Sequence, residues 1–156
     1  MSTWGSGKRT ERGAAAVETA LCICFLVLPL VFATISYAYM LSFRQSLSQA
    51  AAEGARAAAV APAGTSQAAA EAVAKSAVDD ALEGVAGNLA CGTSNLTCTF
   101  TWKTTGCGND VNGNALKCLS VKVSYPYRDH SLMPTVPGFG FLLPDTLAYS
   151  ATAQVG

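Results

Sequence analysis

The stretch RGAAAVETALCICFLVLPLVFATISYAYMLSFRQ, Arg12–Gln45, decides how the rest of the chain is placed. From Thr19 to Phe43 it runs 25 consecutive residues without a charge, mostly Ala, Leu, Ile, Val, Phe and Cys. A helix of that length reaches roughly 37 Å, enough to cross a hydrocarbon core of about 30 Å. A core helix of a small soluble domain rarely stays apolar on every face for so long, so the segment predicts a membrane-inserted helix.

With 156 residues the chain has room for one such segment and one small domain. Lys plus Arg equal Asp plus Glu at ten each, so no charge excess points to nucleic acid or an acidic substrate. The balance hides an asymmetry: Lys8, Arg9 and Arg12 precede the apolar run, and only Arg44 follows it closely. The positive-inside rule then predicts a single pass, with the N-terminus in the cytoplasm and the C-terminal part exported. Tyr37 and Tyr39 read as anchors at the outer interface.

Two features at the inner edge bear on the fate of residues 1–13, which read as a short, disordered basic leader. Gly13 ends the leader where the helix is expected to begin, at Ala14, and Glu18 sits five residues further on. A carboxylate at the membrane centre costs about 2.5–3.5 kcal/mol on insertion scales, and less at an edge, so it calls for a reason. A cut after Gly13 would give Ala14 an amino group of pKa near 8, a suitable partner for Glu18 of a neighbouring subunit. A secretory signal peptide fits poorly, because the run is too long and no A-x-A site follows. An uncut N-terminal anchor remains the alternative.

The sequence RGAAAVE, Leu28-Pro29-Leu30 and RQSLSQAAAEGARAAA (Arg44–Ala59) resemble the N-terminal region of TadE-like pseudopilins. These are pilin-like components of the tight-adherence (Tad, Flp) pilus, related to type IV pili and type II secretion. The resemblance is specific over residues 12–60 and loose afterwards. It implies that a prepilin peptidase cuts between Gly13 and Ala14 on the cytoplasmic side, and that Glu18 serves subunit recognition or alignment. It implies other pilin or pseudopilin subunits as partners. The residue after the glutamate is Thr19, where many such sequences carry an aromatic.

Pro29 removes an amide donor and clashes with the preceding turn, so it should kink the helix, either as a tolerated membrane kink or as a hinge. Strong helix formers continue beyond Arg44, predicting one helix from Ala14 to about Ala61. Ala51, Gly54, Ala55, Ala58 and Ala59 make a smooth face, which suits lateral packing of helices in a bundle or simply raises helix propensity. Pro62-Ala63-Gly64 is a turn. Thr65 or Ser66 caps a second helix, 66–86, whose stripe Val73, Ala77, Val78, Ala81, Leu82 and Val85 should pack on a sheet. Glu71, Lys75, Asp79, Asp80 and Glu83 read as its solvated face.

Alternation of apolar and polar residues marks strands at 96–103, 117–127 and 146–155. The head is thus 65–156, and the fold class α+β and pilin-like: a long helix, a second amphipathic helix and a small three-stranded antiparallel sheet. Asn112-Gly113 signals a two-residue hairpin turn. Centring the hairpin there places Cys107 opposite Cys118, Trp102 opposite Val123 and Phe100 opposite Tyr125. It also puts Cys98 and Cys118 on opposite faces, so the pairing predicted is Cys107–Cys118 and, by elimination, Cys91–Cys98. Cys22 and Cys24 read as small hydrophobes of the membrane segment. Residues 128–145 hold three prolines, two glycines and Leu132, Met133, Val136, Phe139, Phe141, Leu142 and Leu143. That loop either fills the core or presents an apolar patch.

Nothing assembles a catalytic site. His130 is the sole histidine, no Ser-His-Asp or Cys-His set can be built, and the spacing of the cysteines is not that of a zinc site. GCGND lacks the Lys-Ser/Thr of a phosphate-binding loop, so no cofactor or small-molecule substrate is indicated. Asn95-Leu96-Thr97 matches a glycosylation sequon that a bacterial chain would seldom use.

Overall fold

The computed structural model describes residues 7–62, 64–85, 89–93, 95–132 and 143–155, with side chains described from Gly13 onward. It has the α+β architecture expected. A long helical rod comprises α1 (Gly7–Cys22), a π-helical turn (Ile23–Val27) and α2 (Leu28–Ala59), followed by α3 (Gln67–Leu82) and strands β1 (Thr97–Lys103), β2 (Lys117–Tyr125) and β3 (Leu147–Val155). The sheet is antiparallel with order β1-β2-β3.

The rod begins at Gly7, ahead of the expected start at Ala14, so residues 7–13 are helical instead of disordered. Lys8, Arg9, Glu11 and Arg12 are all adequate helix formers, and a single glycine does not stop a helix that continues on both sides. Pro29 acts one turn upstream of itself. Its missing N–H and bulky ring are accommodated by the π turn, where the Leu28 N–H reaches five residues back to the Ile23 carbonyl.

From Met40 the rod enters the head. Met40, Phe43, Leu47, Ala50, Ala51, Gly54, Ala55 and Ala58 are buried along one side of α2, which lies against β2 and β3 and also carries α3. Met40 and Phe43, placed in the lipid-spanning part by the sequence, are only 5% and 3% exposed. Phe43 meets Tyr125 edge-on at 5.1 Å and Tyr127 at 5.9 Å. The smooth Ala/Gly face is therefore occupied within the chain. Gly54 marks the closest approach: a Cβ there would stand 2.6 Å from Val78 Cγ2 and 3.4 Å from Val121 Cγ1.

Helix α3 packs closely along α2, and its Ala74, Val78 and Leu82 join the core that also holds Leu119, Val121 and Val123 of the sheet. Its buried residues are Ala70, Ala74, Val78 and Leu82, and Val73 is left exposed. The stripe has rotated toward the small residues because a helix needs close approach to another helix. Ser66 caps α3 by accepting the Ala69 N–H at 3.3 Å. The helix ends at Leu82, before the expected 86, where Gly84 takes φ +78°.

The β1–β2 register differs from the one expected by four residues: Phe100 faces Val121, Trp102 faces Leu119 and Lys103 faces Cys118. Two local features account for this. The tip is a three-residue loop, Val111–Gly113, between paired Asp110 and Asn114, with Gly113 at φ +84°. Below it, Asn109 pairs with Ala115, leaving residues 104–108 on one arm against 116 and 117 on the other. An even displacement keeps each side chain on its face, so Leu119, Val121 and Val123 still point to the core. Disulfides join Cys91 to Cys98 and Cys107 to Cys118, with Cα separations of 5.3 and 5.9 Å. Cys118 is buried despite its place on the polar face of β2.

Arg128 closes the neck of the loop between β2 and β3. Its guanidinium pairs with Asp145 and donates to the Leu143 carbonyl at 2.7 and 3.2 Å. Leu132 and Leu143 pack against the core. Met133, Val136, Phe139, Phe141 and Leu142, on which the choice between packed and exposed turned, lie outside the described residues.

Candidate membrane and assembly surface

Among the described residues between Gly13 and Tyr39, none belongs to the hydrophobic core or packs against it. The rod's large side chains here are turned outward all round, Phe25 by 78%, and no residue from Gly13 to Tyr39 is buried. The helix Gly13–Ala59 is long and apolar enough to cross a membrane. From Thr19 to Tyr39 the uncovered apolar span reaches about 30 Å of axial rise, the thickness of a hydrocarbon core without Met40 and Phe43, which the head takes up.

Both threonine hydroxyls of this span are satisfied locally, as a lipid setting favours. Thr19 Oγ1 donates to the Ala15 carbonyl at 2.9 Å and Thr34 Oγ1 to the Val31 carbonyl at 2.8 Å. Cys22 and Cys24 are free thiols on its surface. Glu18 stands at the inner edge of the span. Its carboxylate is exposed and makes no hydrogen bond or ion pair with any described residue. It sits between Ala14, Ala15, Leu21 and Cys22, the positions a helix places beside it. Gly13 lies five residues before it on the same helix, with nothing within 4 Å of where a Cβ would stand.

Residues 13–56 match the family of TadE-like proteins. The match covers Gly13, Glu18, Pro29 and the whole outward-facing span, and it stops at Arg56, before α3 and the sheet. The TadE-like helix is thus the part of the chain that the head leaves uncovered, together with the side of α2 that the head packs on. No curated protein and no solved structure matches the chain.

Three polar contacts in the head escape a reading by pattern. The Trp102 indole N–H donates to the Glu71 carboxylate at 2.6 Å, tying β1 to α3. The Asp79 carboxylate accepts the Cys91 N–H at 2.6 Å and so fixes the entry of the first disulfide loop. Arg44 Nε donates to the Tyr149 hydroxyl at 2.5 Å. Glu71 and Asp79 are therefore not merely solvated. The sequence signal available was that Glu71 follows the buried Ala70 directly and stands at the edge of the stripe. Asp110 at the hairpin tip accepts the N–H groups of Asn112 and Asn114 at 2.8 Å each and the Asn114 amide at 3.1 Å. These bonds hold its carboxyl below the usual value, the Asn114 backbone bond first. Among the described residues no group of three or more His, Cys, Asp or Glu is placed to hold a metal ion.

Proposed function

We propose that the chain is a non-enzymatic, pilin-like structural subunit of a Tad/Flp-type pilus or a related secretion machine, processed by a prepilin peptidase. The observation that carries this reading is that the TadE-like match includes a helical span, Gly13–Tyr39, whose apolar surface is uncovered on every side. Such a surface needs lipid before assembly and can exchange it for neighbouring helices afterwards, since both are apolar. Prepilin peptidase removes residues 1–13 at the cytoplasmic face of a bacterial cytoplasmic membrane. The cationic amine of Ala14 then meets Glu18 of a neighbouring subunit, which answers the unpaired carboxylate. The extracytoplasmic head, stapled by Cys91–Cys98 and Cys107–Cys118, stands in an oxidising compartment.

A second reading is an uncleaved, single-pass anchored domain that binds or scaffolds within the envelope. The observation on its side is that the helix runs unbroken from Gly7 through Gly13, so the scissile bond lies in a hydrogen-bonded turn. Co-expression of the full chain with a prepilin peptidase separates the two. The pilin reading expects conversion to a shorter form that Gly13→Leu abolishes. A chain that stays full length with an active peptidase supports the anchor.

A further inference from the structure

We propose that Arg44, braced by Tyr149, grips a lipid phosphate in the leaflet beneath the head and so fixes the height at which the head rides on the bilayer. The inference rests on the helix spanning a membrane and is independent of cleavage.

The rod passes from uncovered to covered within one turn. Tyr37, Tyr39 and Leu41 face outward, whereas Met40 and Phe43 are buried in the core with Leu147, and Phe43 meets Tyr125 and Tyr127. No neck separates the apolar span from the head, so the lower edge of the head lies where lipid ends. A bilayer of about 30 Å of hydrocarbon and about 40–45 Å overall has a headgroup layer of about 5–7.5 Å on each side. With Tyr39 at the hydrocarbon edge, Arg44 stands about 7.5 Å higher, at the level of the phosphates.

The side chain is prepared for that ligand. Its Nε–H is taken by the Tyr149 hydroxyl, and Cζ lies 5.8 Å from the centre of the Tyr149 ring. Tyr149 belongs to β3, so the sheet, not the helix, sets where the guanidinium points. Its two terminal amino groups make no hydrogen bond to a described residue, and neither ion pair among the described residues involves it. A planar fork held at one edge and free at the other loses little entropy on taking a phosphate, and no acidic partner in the head competes. The span below offers no second cation, because Thr19–Phe43 carries no charge.

The test uses the full chain, labelled with ¹³C at arginine Cζ, in phosphatidylethanolamine/phosphatidylglycerol bilayers. Dipolar dephasing by lipid ³¹P is recorded for the unaltered chain and for Arg44→Gln, and the difference isolates Arg44 from the other arginines. The expected result is strong dephasing of the Arg44 signal, as for a phosphorus about 4 Å away, and its marked weakening in Tyr149→Phe. Flotation of the same vesicles reports insertion separately. A chain that floats while its Arg44 signal is undephased overturns the inference and leaves the spanning helix standing. Failure to float overturns both. Equal dephasing in Tyr149→Phe overturns the brace.

Discussion

Gly54→Ala sets two known effects against each other at one atom. Replacing an interior glycine by alanine favours a helix by about 1 kcal/mol when nothing else changes. Here the new Cβ would stand 2.6 Å from Val78 Cγ2 and 3.1 Å from the Ala74 carbonyl oxygen, where carbon pairs prefer about 3.5–4.0 Å. Val78 is fully buried, and the Ala74 carbonyl is backbone, so relief requires α3 to move off α2 as a unit. Overpacking of this kind costs about 1–3 kcal/mol, and the immobility of both neighbours puts it in the upper half. The net expectation is a head destabilised by about 1–2 kcal/mol, or a midpoint lowered by roughly 4–8 °C for each kcal/mol. Thermal and urea unfolding of the full chain in detergent, followed by Trp102 emission, gives the number. Val78→Ala removes the nearer obstacle, so Gly54→Ala/Val78→Ala should be no less stable than Val78→Ala alone. A stabilised Gly54→Ala, or strictly additive effects, would show that α2 and α3 do not meet at this point.

The other contacts make independent predictions. Glu71→Ala should cost about 1 kcal/mol, a charge-assisted bond discounted for partial exposure, and should red-shift Trp102 emission, while Glu71→Gln retains most of both. Cys107→Ser/Cys118→Ser should lower stability to urea by about 2–3 kcal/mol, as expected for opening a short loop. The Asp110 carboxyl is held below its ordinary value of 3.8 in the folded chain. Its contribution is therefore full above that value and lost as pH falls through the lower, folded one. Acid titration of the Asn112 and Asn114 amide resonances should show the tip loosening in that window and no such step in Asp110→Asn.

Legibility differed between levels of the structure. The uncharged run Thr19–Phe43 announced a helix with no covered face, because composition alone decides that. It could not announce that Met40 and Phe43 belong to the head, since a residue facing Tyr125 looks the same in sequence as one facing lipid. Strand faces were legible through Phe100, Trp102, Val121 and Val123. Register was not, because it depends on how residues 104–108 and the tip at Asp110 spend their length. Parity survived only because the displacement is even. The stripe of α3 was misplaced for a related reason. Val73 is the more hydrophobic residue, but Ala70 and Ala74 allow the approach that α2 requires. At the candidate site, Glu18 was conspicuous as a charge beside an apolar run. Arg44 was seen as a flanking charge, but its brace was not, since Tyr149 is 105 residues away.

The most direct measurement is the intact mass of the chain isolated from its native membrane, taken after alkylation without reduction. The account predicts a chain beginning at Ala14 that has gained two alkyl groups, at Cys22 and Cys24. A chain beginning at Met1 or Ser2, or one alkylated at all six cysteines, would contradict it.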